Sequence, residues 1–260
     1  MSLRGRVALV TGAGAGLGRA VALRLAADGA SVVAVSIESA ELDELSAAAA
    51  QGGLEVHTAE ADVGDAARCA EVTQELLDRH GRLDVLVNNA GVIVVKPLEE
   101  TAPDVWDRVL STNLRGAYLY TRAFVPSMKE LGGGLVINVS SASGIRGFVD
   151  ESAYCASKFG LEGLTAALAM ELEPSNIRVV SVSPGAPMRT PMSETTYDAA
   201  ARRSWIEPDE IAPGFSVLAS CDEPWISGRR FDAYALARHG LPRLANDAPM
   251  VSSLHEGLEA

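Results

Sequence analysis

The sequence predicts an α/β fold, a doubly wound parallel sheet with helices on both faces in a three-layer sandwich. Three observations carry that prediction. Short β-branched runs alternate along the chain with longer segments of helical period, the pattern of repeated βαβ units. The short runs are apolar throughout, as strands covered on both faces must be. No linker-like break interrupts the series, so residues 1–260 read as one domain.

The strands are expected at residues 7–10, 31–35, 54–58, 85–88, 135–139 and 177–182. Right-handed crossovers between them place helices on each side of the sheet. The first helix opens in the glycines after strand one and runs to about Gly29. In 44–53, four consecutive alanines followed by Gly52 and Gly53 read as a helix end, since Ala is the best helix former and glycine stops it. Further on, Leu161, Leu164, Thr165, Leu168, Ala169 and Leu172 recur at spacings of three and four, which marks one buried stripe; Pro174 closes that helix. Gly132, Gly133 and Gly134 separate the preceding helical region from its strand.

Composition narrows the function. Hydrophobic residues make up 48%, enough for packed layers, and 34 acidic against 22 basic residues give a net charge of −12. Without a dense Lys/Arg run the chain is not expected to bind nucleic acid. Cys69, Cys155 and Cys221 are few, odd in number and far apart, which suits a reducing cytoplasm. The apolar run at 7–10 is too short for a signal core or a membrane span. Asp62 and Asp65 suggest a metal only superficially, because His57, His80, His239 and His255 supply no close-spaced ligands; helix capping accounts for Asp65.

The first chemical signal is Thr11-Gly12-Ala13-Gly14-Ala15-Gly16-Leu17-Gly18, directly after a strand and opening a helix. Glycines let the turn tighten and its amides approach a pyrophosphate, while the helix adds its amino-terminal partial charge. A dinucleotide site in a Rossmann-type sheet is the reading. The second signal is Tyr154 and Lys158, one helical turn apart and therefore on one face. A phenol titrates near 10, and an adjacent ammonium favours its phenolate. Each residue alone has a plainer reading, the tyrosine as a packed ring and the lysine as a surface charge.

Taken in order, these segments resemble the short-chain dehydrogenase/reductase family over roughly residues 5 to 232. The family's TGxxxGxG stands at 11–18, its Asp-Val at Asp62-Val63, its Asn-Asn-Ala-Gly at 88–91, its Tyr-x-x-x-Lys at Tyr154 and Lys158, and its Pro-Gly at Pro184-Gly185. The resemblance implies a catalytic set of Asn113, Ser141, Tyr154 and Lys158. Tyr154 would transfer the proton, Ser141 would place the substrate oxygen, Lys158 would tune charge and contact the ribose, and Asn113 would hold a relay water. It also implies that Gly12, Ala15, Gly16, Leu17, Gly18, Ser36, Asp62, Val63, Asn89, Ala90, Gly91, Pro184, Gly185 and Thr190, with Tyr154 and Lys158, bind NAD or NADP. The substrate would be a small alcohol or carbonyl compound, and the assembly a homodimer or, more often, a homotetramer. Ser141 has hydroxyl neighbours at Ser140 and Ser143, and Asn113 reads also as a backbone bridge.

Ser36, then Ile37 and Glu38, stands where relatives carry an NAD-selecting aspartate, and Ala15 where NADP-preferring relatives are often basic. Together these residues favour NAD, although the Ser36 hydroxyl suits a ribose hydroxyl or a phosphate oxygen and Arg19 could fold back. Beyond Gly185 the pattern departs from the family. Four residues instead of three precede Thr190, and 190–206 reads either as a lid over the site or as ordinary helix packing. Relatives end the strand near Asp232 with Val-Asp-Gly-Gly, whereas Ala233-Tyr234 follows here and the remainder, 233–260, specifies no one compact element. Two functions stay in view, a hydride-transferring enzyme and a noncatalytic dinucleotide-binding redox sensor. The full set Asn113, Ser141, Tyr154 and Lys158 favours the enzyme.

Overall fold

The computed structural model describes residues 2–197 and 205–242. Seven strands form its sheet: β1 (Val7–Thr11), β2 (Ser31–Ser36), β3 (Val56–Glu60), β4 (Val85–Asn88), β5 (Gly134–Val139), β6 (Ile177–Ser183) and β7 (Arg230–Asp232). Their order is β3-β2-β1-β4-β5-β6-β7, with every pairing parallel. This is the doubly wound sheet expected, and it reverses direction between β1 and β4, the place where such sheets open a crevice at their carboxyl ends.

The apolar runs are explained by where alternate residues go. Ala8 and Val10, Val32 and Ala34, and Val85 and Val87 enter one buried cluster with Val21, Leu25 and Phe215. Their neighbours Leu9, Val33, Val35 and Leu86 enter a second cluster with Leu76, Tyr120 and Phe124. A strand pointing side chains alternately into two cores has no polar position to spare. The first cluster packs against helices α1 (Gly16–Ala27) and α2 (Ser39–Gln51), the second against α3 (Ala66–His80). Asp65 caps α3, accepting from the amides of Ala67 and Arg68 at 2.9 and 3.2 Å.

Helix α4 (Pro103–Leu110) passes through one π turn, Ser111–Arg115, into α5 (Gly116–Leu131), and α6 (Ser152–Leu172) follows β5. Among the described residues, three short helices, α7 (Pro191–Thr196), α8 (Pro208–Ile211) and α9 (Pro213–Ala219), lie between β6 and β7, and α10 (Ala233–His239) follows β7. A polar thread crosses the second core: Asn88 donates to Asn138 Oδ1 at 2.9 Å, and Asn138 donates to Thr165 Oγ1 at 2.9 Å. The two donated bonds tie β4, β5 and α6 in fixed register.

Two expectations need correction. β3 begins at Val56 instead of residue 54. The Leu54 amide instead bonds back to Ala49 O, while Gly53 bonds Ala50 O, so both residues finish α2 before the strand can start. Nor is the segment after Asp232 without a compact element. The Asp232 carboxylate accepts from Ala235 N at 2.8 Å and caps α10, whose Ala233 and Leu236 join the first core. The rest of the expected tail, 243–260, lies outside the described residues.

Candidate active site

The carboxyl ends of β1, β2, β4, β5 and β6 open into a cleft of about 670 Å³. At one end the glycine turn, through Gly12, Ala15, Gly16, Leu17 and Gly18, forms its floor. Gly12 has φ +62° and a Cβ there would lie 2.7 Å from Ala90 Cα, so the backbones of two segments meet where no side chain fits. Asn89 holds them together, donating from Nδ2 to Thr11 O at 2.9 Å and Gly12 O at 3.1 Å, while the Thr11 hydroxyl accepts from the amides of Asn89 and Ala90. Asn89, Ala90 and Gly91 line the cleft beside that turn. A narrow backbone cradle at a helix amino end suits a pyrophosphate.

Ser36 lines the cleft at the end of β2, with Ile37 and Glu38. Asp62 and Val63 face it after β3, and Asp62 Oδ1 accepts from Gly64 N at 2.8 Å. Sequence reading missed Glu41. It lines the same end of the cleft, and a Cβ added at Gly14 would meet both the Glu41 side chain and Ser36 Oγ. The available signal was its position in the first turn of α2, one turn after Glu38, which brings both acids toward the β2 end.

At the other end Ser141, Tyr154 and Lys158 line the cleft together. β5 delivers Ser141, whose Oγ accepts from Ser143 N at 3.2 Å as the chain turns into a short 3-10 segment. Helix α6 presents Tyr154 and Lys158 from one face, with Lys158 Nζ 5.6 Å from the Tyr154 ring centre. Lys158 is 3% exposed and donates to Val139 O at 2.8 Å. Its burial, opposed by the charge of Glu162, brings its pKa down to about 8. Burial pushes the Tyr154 phenol up to about 12, and a hydrogen bond with Ser141 acts against that rise. Removal of the phenol from water is thus the dominant influence on its titration.

Asn113 lies in the π turn, the kind of helical irregularity that often re-aims a side chain. Its amide clasps Val92 in both directions, accepting from Val92 N at 2.7 Å and donating to Val92 O at 2.9 Å, and also donates to Ser157 Oγ at 3.0 Å. It does not line the cleft but stands behind it: a Cβ at Gly91 would lie 3.4 Å from Asn113 Oδ1 and 3.7 Å from Lys158 Nζ.

Pro184 lines the cleft, whereas Gly185 does not. Gly185 has φ +84° and turns the chain beside the Asp232 carboxylate, which fills the space a side chain would need. Thr190 does line the cleft, its methyl side over Gly16. Its hydroxyl caps α7, accepting from Ser193 N at 3.1 Å. Met192 and Tyr197 line the cleft from the same segment. That segment leaves and returns at one point, where Met188 and Ile206 bridge in parallel and Arg189 N donates to Ile206 O at 2.9 Å. Residues 198–204 of the expected lid lie outside the described residues.

No helix among the described residues is long and apolar enough to cross a membrane. Residues 6–201 match the family model described as short chain dehydrogenase. The chain is 36% identical over 236 residues to the 3-oxoacyl-[acyl-carrier-protein] reductase of Thermotoga maritima, covering 88% of this chain and 96% of that one. Among solved structures, 3-ketoacyl-(acyl-carrier-protein) reductase from Brucella melitensis complexed with NADH superposes with TM-score 0.82 at 34% identity, over 89% of this chain and 97% of that one. A metagenomic short-chain oxidoreductase in complex with NADP superposes with TM-score 0.77 at 36% identity, over 87% and 96%. With its sheet order and a family match across most of its length, this chain belongs to the short-chain dehydrogenase/reductase family of oxidoreductases.

Proposed function

We propose that the protein moves a hydride between a nicotinamide cofactor and a ketone or secondary alcohol, with Tyr154 as the proton-transfer residue. The observation that carries this reading is the convergence of Ser141, Tyr154 and Lys158 on one end of a cleft whose other end is a backbone cradle. The cradle fits a dinucleotide, since Gly12 and Ala90 leave room for backbone and ligand only. Gly12, Gly16, Leu17, Asn89, Ala90 and Gly91 would hold it along the turn, with Val63 and Asp62 toward its adenine. When bound, the nicotinamide supplies or accepts the hydride.

In reduction Tyr154 donates its proton to the carbonyl oxygen, and Ser141 donates a hydrogen bond to that oxygen as charge develops. A phenol held near 12 is fully protonated at neutral pH and so begins as an acid. Lys158, fixed by Val139 O, sits close enough to offset the phenolate left behind. Asn113 holds the Val92 backbone against α6 and so shapes the wall through which a proton is resupplied. Oxidation runs the same path in reverse.

Ser36, Glu38 and Glu41 at the β2 end favour NAD over NADP, because a carboxylate accepts from ribose hydroxyls and repels a phosphate there. A turnover screen with NADH and NADPH against ketones, keto esters, quinones, sugars and steroids tests the reading, with the matching alcohols run in reverse. Turnover that is lost in Tyr154→Phe supports it. Tight cofactor binding with no turnover of any pair would instead favour a redox sensor.

A further inference from the structure

A buried ion pair stands directly behind the reacting groups. Arg230, in β7, is 8% exposed and Glu162, on α6, is 3% exposed. The Arg230 Nη1 donates to Glu162 Oε1, and also to Ser140 Oγ at 3.1 Å. Its Nη2 donates to the main-chain oxygen of Ser141 at 2.8 Å. One planar fork thus touches the loop that carries Ser141 and the helix that carries Tyr154 and Lys158. Glu162 lies one turn beyond Lys158 on the same helix face. Its second oxygen is buried with no hydrogen-bond partner among the described residues. An ion pair in this position is not needed for packing, since apolar groups of similar volume commonly serve as well or better.

We propose that Arg230 and Glu162 are positioning residues for the reaction, Arg230 fixing Ser141 against the Tyr154–Lys158 face and Glu162 setting the charge that Lys158 experiences. The proposal rests on the reading of those three residues as the reacting set. The titratable groups around Lys158 are Tyr154 and Glu162 on its own helix and Arg230 from β7, which reaches it through Glu162; Asn113 from the π turn is the nearby neutral amide. Two opposed effects follow. Removing the Glu162 charge leaves Lys158 with burial alone, which lowers its pKa further below about 8. Removing Arg230 leaves the carboxylate unpaired beside Lys158, which raises it.

The chain contains three lysines, Lys96, Lys129 and Lys158, so selective ¹³C labelling of lysine gives a resolvable titration that needs no substrate. Glu162→Gln is expected to shift the Lys158 midpoint down, and Arg230→Met to shift it up. The double variant Glu162→Met/Arg230→Met, which leaves no unpaired charge, should fold and titrate as Glu162→Gln does. In turnover, Arg230→Lys and the double variant should lose kcat by about tenfold or more, with cofactor affinity within about twofold, because a misplacement near 1 Å at Ser141 is costly. Shifts of both single variants toward the ordinary lysine value, as from water entering, or titrations and kcat unchanged in the folded double variant, would overturn the proposal. The predicted titration shifts in the two variants, together with a wild type that turns over no substrate, would instead break the proposed function and leave the brace standing.

Discussion

The two ends of the cleft are built by different means. At the glycine end the determinants are backbone: Gly12 against Ala90, and Asn89 bonded to Thr11 and Gly12. At the tyrosine end they are buried side chains that meet across long stretches of chain, with Arg230 reaching 68 residues back to Glu162 and 89 to Ser141. A backbone cradle demands particular residue types at particular spacings, and it recurs wherever the same ligand is held. A side-chain brace demands only that two complementary groups arrive at one place. The first leaves a motif and the second does not.

The largest separation of the two ends is expected from Tyr154→Phe. It should lower turnover roughly 10²-fold or more while leaving cofactor affinity unchanged, checked by steady-state rates beside calorimetry. Near-normal turnover in the folded variant would remove Tyr154 from the chemistry. The converse substitution is Gly12→Ala. It forces a side chain into φ +62° and against Ala90, so it should cost about 1–3 kcal/mol of stability and weaken cofactor binding, with Tyr154 and Lys158 still in place. Unchanged melting and unchanged affinity would mean that the cradle is looser than its geometry.

The tyrosine end should also show itself in the pH dependence of stability. Lys158 titrates near 8 folded, below its ordinary 10.5, so the unfolded chain binds more protons between those values. Its contribution to stability is therefore present above about 10.5 and is lost as pH falls through about 8. Tyr154 acts oppositely above its ordinary value of 10, where only the folded state keeps the phenolic proton. Between about pH 8 and 10, urea unfolding of the wild type should gain stability relative to Lys158→Met. Parallel curves for the two proteins would show that Lys158 is solvated.

Smaller effects test each end separately. Ser36→Asp should shift the NAD:NADP affinity ratio toward NAD by about 1–3 kcal/mol, toward the lower figure because Glu38 and Glu41 already make that end acidic. An unchanged ratio in calorimetry would place Ser36 away from the ribose. Asp232→Ala removes the α10 cap and should cost about 1 kcal/mol in thermal unfolding. A variant as stable as the wild type would show that α10 is held by Leu236 and its packing alone.

The same contrast explains what could be read before the structure. The parallel sheet covered on both faces, the glycine turn and the Tyr154–Lys158 face were legible because period and spacing encode them directly. The start of β3 was not, since Leu54 looks like a strand residue until its amide is seen to close α2. Gly185 matched a motif yet serves a turn beside Asp232 and not the cleft wall. Glu41, Glu162, Arg230 and the α10 helix escaped because each owes its importance to a partner that only folding supplies. The titration of Tyr154 escaped for a related reason: adjacency to Lys158 was visible in the sequence, but the burial that raises the phenol was not.

The most direct test follows the hydride itself. Wild-type protein is given NADH or NADPH, whichever the turnover screen selects, deuterated at the transferring face of C4, together with an accepted ketone, and the product alcohol is analysed by mass spectrometry. One deuterium on the carbinol carbon is expected, with almost no product from Tyr154→Phe. Product without the label, or equal labelled product from both proteins, would contradict it.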